Sequence, residues 1–204
     1  MGTLTLILGG VRSGKSRFAQ ELAVQVGGDD VLFVATAEAR DDEMRHRIEH
    51  HQQSRPAAWQ TLERTRNIGE AISELEGLQS VVLVDCLTLL VSNIMCALES
   101  APPTLEPLQQ RVEAEVLGLI AVARDLNTHL IIVSGEVGLG IVPEHAMGRM
   151  FRDLLGWANQ RLAQHAKTTY WMVAGLPIDA TSLATTVQRA ASRIICSNSK
   201  GSTT

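Results

Sequence analysis

Leu4-Thr5-Leu6-Ile7-Leu8-Gly9-Gly10-Val11-Arg12-Ser13-Gly14-Lys15-Ser16 opens the chain with an apolar run that passes straight into an octet fitting G-x-x-x-x-G-K-[ST]. The run reads as a buried strand. Residues 15–26, which follow, have helical composition, so the octet sits at a strand-to-helix turn, the context that makes this pattern a phosphate-binding loop. Gly9, Gly10 and Gly14 remove Cβ atoms, letting backbone N–H groups turn inward on an anion. The helix beginning at Lys15 adds unpaired N–H groups and the positive end of its dipole. Lys15 is expected to reach the β- and γ-phosphates of a nucleoside triphosphate, and the Ser16 hydroxyl to ligate Mg²⁺.

Working outward, apolar runs recur at residues 31–35, 81–84, 130–133 and 170–174, separated by helix-like stretches, and residues 59–62 form a shorter candidate strand. Runs without in/out alternation belong to strands buried on both faces. The predicted fold is therefore α/β and P-loop NTPase-like, a mostly parallel sheet with helices on both faces. At 204 residues the chain is long enough for one sizeable core. We expect a single nucleotide-binding transferase domain over residues 1–180 and a tail over 181–204, rich in Ser, Thr and Ala and partly disordered.

Composition excludes several classes. A net charge of −4 with dispersed basic residues argues against nucleic acid as a main partner. No apolar run approaches the ~18 residues of a membrane span, and no signal peptide is expected ahead of the loop. Cys86, Cys96 and Cys196 have neither metal-ligand spacing nor scaffold density, which suits a reducing cytoplasm, and Cys86 and Cys96 read as packing residues.

Two further stretches join the loop. Strand two ends in Ala35-Thr36-Ala37, and ligands of open α/β sheets lie beyond the carboxyl ends of the strands. Val81-Val82-Leu83-Val84-Asp85 is a Walker B pattern, four apolar residues ending in a carboxylate for Mg²⁺, directly or through water. Residues 134–143, glycine-rich and long for a turn, lie on the same rim and suggest a substrate contact. A long amphipathic helix with Val112, Val116, Leu119 and Ile120 on one face, and another over 146–164, complete the pattern.

Residues 41–55 read as a helix of about three turns ending before Pro56. Only Met44 and Ile48 are plainly apolar, and three of the six histidines lie here. Three readings stand: a solvated helix with i,i+4 charge pairs, a metal site using His46 and His50 one turn apart, or a catalytic histidine on the nucleotide rim.

Taken together these segments resemble the bifunctional adenosylcobinamide kinase/adenosylcobinamide-phosphate guanylyltransferase family of cobalamin biosynthesis. The resemblance runs through residues 9–17, Ala35-Thr36, Asp41-Asp42-Glu43-Met44 with Arg47-Ile48 and His50-His51, and Arg55-Pro56. It continues in Glu136-Val137-Gly138-Leu139-Gly140-Ile141-Val142-Pro143-Glu144, Phe151-Arg152-Asp153 and Asn159-Gln160-Arg161-Leu162. It implies phosphorylation of adenosylcobinamide by ATP or GTP. GMP then passes from GTP to adenosylcobinamide phosphate, yielding adenosylcobinamide-GDP and pyrophosphate.

The same resemblance puts the guanylyl group on His50 and surrounds GTP with residues of the phosphate loop, Ala35, Thr36, Ala37, His51, Gln52, Gln53, Ser54, Glu63 and Asp85. Asp85 stands where family members often have Glu, and Gln52-Gln53-Ser54 are neutral where they have aromatic or basic residues. It also implies a corrinoid substrate and a homotrimer. Two rivals share the nucleotide site: a P-loop small-molecule kinase without guanylyl transfer, and a GTP-binding regulatory module that transfers nothing.

Overall fold

A computed structural model describes residues 2–38, 42, 45, 52, 55–97 and 104–188. Seven strands form one sheet: β1 (Thr3–Gly9), β2 (Val31–Ala35), β3 (Gln60–Glu63), β4 (Val81–Asp85), β5 (His129–Gly135), β6 (Thr168–Val173) and β7 (Leu176–Asp179). Their order is β3-β2-β4-β5-β1-β6-β7, and every pairing is parallel except β6 with β7. Among the described residues the helices are α1 (Lys15–Gly27), α2 (Ile68–Ser73), α3 (Leu87–Cys96), α4 (Leu105–Asp125), α5 (Ala146–His165) and α6 (Ala180–Leu183).

The period-2 geometry of the strands divides the apolar residues between two cores. Leu4, Leu6, Val34, Val84, Leu130 and Ile132 face α2, α3, α4 and α5, whose Ile72, Leu90, Val116 and Leu155 are fully buried. Ile7, Phe33, Leu83, Ile131 and Met172 face the other way, against Ala19 and Ala23 of α1 and Trp59. The expected α/β layering with helices on both faces is therefore present. Phe18 of α1 also meets Tyr170 of β6 edge to face at 5.1 Å, tying the helix after the loop to the strand beside it.

Several boundaries differ from the sequence reading. The candidate strand at 59–62 is β3, but the last predicted strand is one arm of a hairpin turning at Ala174 (φ 49°) and Gly175 (φ 83°). The connection expected over 99–107 ends earlier, because α4 begins at Leu105. Pro107 lies in its first turn, where no intrahelical N–H is needed. Helix α6 starts at the expected domain boundary, capped by Asp179 Oδ1 accepting from Ser182 N, and Thr181 Oγ1 accepts from Thr169 N of β6. Residues 189–204 of the expected tail, Cys196 with them, lie outside the described residues.

One buried charge fixes α2 against α4. The Glu115 carboxylate, 8% exposed, accepts from the backbone N–H groups of Asn67 and Ile68, the two residues at the start of α2. Replacing Glu115 by Ala strands both donors, and urea unfolding is expected to show a loss of about 1–3 kcal/mol. An unchanged midpoint would show that the pairing contributes nothing.

Candidate nucleotide site

The phosphate loop leaves the carboxyl end of β1, an interior strand flanked by β5 and β6. Gly9 (φ 156°) admits no side chain: a Cβ there would lie 2.6 Å from Met172 O and 2.7 Å from Ser13 Oγ. Gly14 (φ 92°) caps α1 in the left-handed region and makes no side-chain cap, so the first amides of α1 face the loop without a protein acceptor from the cap. A Cβ on Gly10 would meet nothing within 4 Å, which leaves the middle of the loop open. Lys15 Nζ donates to Gly10 O at 2.6 Å, folding over the loop whose phosphates it is expected to bind.

Backbone bonds from both neighbouring strands hold this loop. Glu136 N donates to Gly9 O at 3.0 Å from the β5 side, and Gly175 N donates to Ser13 O at 3.0 Å from the β6–β7 turn. The glycine-rich segment after β5 is ordered in turn by the Glu136 carboxylate, which accepts from Gly138 N (2.6 Å) and Leu139 N (3.2 Å). Beyond it Leu139 and Ile141 are 79% and 96% exposed. Ser134, fully buried, donates to Asn159 Oδ1, and Asn159 Nδ2 donates to Gly135 O, so α5 secures the end of β5.

Asp85 stands half-buried at the end of β4, with β5 between its strand and β1. Thr36 sits beside it with no exposed surface. Its Oγ1 donates to Cys86 O (2.8 Å) and accepts from Cys86 N (2.7 Å), its N donates to Asp85 O, and its O accepts from Asn93 Nδ2. Thr36 thus holds the backbone that presents the Asp85 carboxylate. Ala35 is nearly buried and Ala37 is half-buried on the same rim.

Gln52 Nε2 donates to Glu63 Oε1 at 3.3 Å, bringing together two residues that the resemblance placed around GTP. Arg55, which the sequence reading quoted but gave no role, lies with its guanidinium 3.6 Å over the Phe33 ring. Burial holds its pKa below the ordinary arginine value, although the Asp85 and Glu63 carboxylates pull it upward. Its Nε is buried without a hydrogen-bond partner. Nothing in its local sequence reveals this, because the ring it covers lies far off in β2.

His46, His50, His51, Gln53 and Ser54 lie outside the described residues, as does most of the helix expected at 41–55. Within it Asp42 and Arg45 are helical and pair at 2.7 Å, the spacing of a solvated face. The described residues contain no cluster of three or more His, Cys, Asp or Glu suited to a metal, and no helix among them is long and apolar enough to cross a membrane.

A mostly parallel α/β sheet whose interior strand β1 feeds a braced G-x-x-x-x-G-K-S loop, with a carboxylate ending a second strand, defines a P-loop nucleotide-binding protein. The family model for cobinamide kinase / cobinamide phosphate guanyltransferase matches residues 5–180, and the chain belongs to that family. The bifunctional adenosylcobalamin biosynthesis protein CobU of Escherichia coli (strain K12) is 39% identical over 181 residues, 86% of this chain and 98% of that protein. CobU of Salmonella typhimurium is 38% identical over the same length and shares. CobP of Pseudomonas aeruginosa, a bifunctional adenosylcobalamin biosynthesis protein, is 38% identical over 173 residues, covering 85% of this chain and 94% of that one. Among solved structures an ATPase domain superposes with a TM-score of 0.48 at 16% identity, over 83% of this chain and 68% of that one.

Burial, and secondarily the Asp85 carboxylate, pushes the Cys86 thiol up to about 11. At pH 8 only about a thousandth of it is thiolate. Peptide mapping after brief treatment with a thiol reagent is expected to find Cys96, which is exposed, modified ahead of Cys86. Modification of Cys86 at the rate of Cys96 would contradict this.

Proposed function

We propose that the chain carries out both family reactions at this one site, with His50 as the guanylyl carrier. The observation that carries the proposal is the family match over residues 5–180, which spans the phosphate loop, the D-D-E-M histidine segment and the loop after β5 together. In the kinase step the aminopropanol hydroxyl of adenosylcobinamide attacks the γ-phosphorus of ATP or GTP, losing its proton to solvent as the bridging P–O bond breaks and its electron pair leaves with ADP or GDP. In the transferase step a ring nitrogen of His50 attacks the α-phosphorus of GTP, forming a P–N bond as the bond to pyrophosphate breaks and its electron pair leaves with the pyrophosphate. The phosphate of adenosylcobinamide phosphate then attacks the same phosphorus, and the imidazole departs.

Each described group has a task in this scheme. The amides of residues 10–16 and Lys15 hold the phosphates and offset charge growing on the leaving group. A neutral imidazole, with an ordinary pKa near 6.5, has a lone pair available at cytoplasmic pH. The Ser16 hydroxyl, half-buried in the first turn of α1, and the Asp85 carboxylate are hard oxygen donors of the kind Mg²⁺ takes, and they would hold it at the rim. When bound, Mg²⁺ supplies positive charge to the phosphate oxygens. Arg55 adds a positive charge that feels both the Asp85 and Glu63 carboxylates. Assembly as a cytoplasmic homotrimer belongs to the same reading and is carried by the resemblance alone.

Incubation with α-labelled GTP and Mg²⁺ is expected to label the wild-type protein with an acid-labile, base-stable adduct that His50→Ala abolishes and His51→Ala retains. An unlabelled wild type would sink the guanylyl-histidine, and label surviving in His50→Ala would move the nucleophile. Lys15→Ala is expected to lower both activities by about 10²-fold or more.

A further inference from the structure

Beside the nucleotide rim, past the end of β3, a cleft of about 800 Å³ opens between α2 and α4. This is near the upper end of the range of about 300–1,000 Å³ usual for small-molecule sites. Arg64, Thr65 and Arg66 line it from the β3–α2 connection, Glu70 and Glu74 from α2, and Arg111 from α4. Its floor is where the two helices meet backbone to backbone, since a Cβ on Gly69 would lie 2.5 Å from the carbonyl carbon of Gly118.

The charges here are interleaved. Glu115, at the base, is committed to the two N–H groups that start α2. Arg64, Arg66, Arg111, Glu70 and Glu74 are all exposed, and none forms an ion pair with another described residue. Three guanidinium donors and two carboxylate acceptors therefore line one volume with no direct ion pair among them. A cleft of one sign selects a polyanion. Mixed donors and acceptors instead match a ligand whose edge offers carbonyl oxygens and N–H₂ groups together, which is the chemistry of primary amides. The cleft is also coupled to the nucleotide rim: the buried Asn93 amide donates to Thr36 O (2.8 Å) on the rim and to Thr65 O (3.4 Å) in the cleft wall.

We propose that this cleft docks the amide-fringed edge of the corrinoid substrate, with Arg64, Arg66 and Arg111 donating to its amide carbonyls and Glu70 and Glu74 accepting from its amide N–H₂ groups. The assignment rests on cobinamide being the substrate. A corrinoid held there would border the rim at Thr65, whose carbonyl shares the Asn93 amide with Thr36.

The test uses the full chain, with adenosylcobinamide binding followed by tryptophan fluorescence or calorimetry and phosphoryl transfer followed at steady state. Arg66→Ala/Arg111→Ala and Glu70→Ala alter exposed positions. The double variant is expected to raise Kd and KM for adenosylcobinamide about tenfold or more, with KM for the nucleotide within about twofold of wild type. Glu70→Ala is expected to shift the same two constants in the same direction. A corrinoid KM within about twofold of wild type in the double variant would overturn the proposal, as would a nucleotide KM that rises in parallel. A second equivalent of GTP bound by wild type and lost in the double variant would assign the cleft to a polyanion and overturn it as well. Failure of wild type to bind or phosphorylate adenosylcobinamide would instead remove the functional reading on which the proposal stands.

Discussion

Everything at the rim depends on presenting a short run of backbone amides at the end of a buried strand, in a loop whose shape its neighbours fix. α1 begins at Gly14, a left-handed residue with no side chain to fold back over the first turn. The loop is braced from outside. Glu136 N and Gly175 N each take one loop carbonyl, from the strands on either side of β1, and these are main-chain contacts that no side-chain substitution removes. Gly9 is obligatory because Met172 O and Ser13 Oγ occupy the space of its Cβ. The loop's shape is thus a property of three adjacent strands, and the segments after β5 and β6 reach the site because they are needed to build it.

The other half of the rim is set by a buried polar network instead of by glycine. Thr36 bonds both the N–H and the carbonyl of Cys86, and Asn93 closes the network from α3. The Asp85 carboxylate is therefore presented by a fixed backbone, and it acts on its surroundings: it opposes the effect of burial on Arg55 and adds to the effect of burial on the Cys86 thiol. A network of this kind orders its members only when each is satisfied, which accounts for a threonine with no exposed surface at a position that proximity alone would assign to ligand contact.

Much of this was legible in the sequence, for physical reasons. Strands buried on both faces must be apolar throughout, so β1, β2, β4 and β5 announced themselves, and the glycines and lysine of the loop have no bland explanation at such a turn. β7 was missed because Leu176-Pro177-Ile178-Asp179 is short and contains a proline, which is tolerated there only because β7 is an edge strand. The roles of Thr36 and Arg55 were invisible because their partners are distant in sequence: Cys86 lies on the far side of β3 and α2, and Phe33 points from the interior of β2. Local pattern reports what a residue is, and burial and partners report what it does. The choice of His50 came from resemblance, since its own composition suits a solvated helix equally well.

Two transfers at different phosphorus atoms on one scaffold require that something change register between them. The phosphate loop is a poor candidate, because Gly9 is bonded to the segment after β5 and Ser13 to the β6–β7 turn, and a Cβ on Gly14 would lie 3.3 Å from Gly175 Cα. Asp85 is equally constrained through Thr36. What remains is the nucleotide, which can slide along a cradle of equivalent amides, or the segment carrying His50. Among the described residues of that segment, Gln52 donates to the Glu63 carboxylate at the end of β3 and Arg55 lies over the buried Phe33 ring of β2. On the proposed function, the α/γ choice is made by how the nucleotide and the histidine segment meet over a cradle that its neighbours brace.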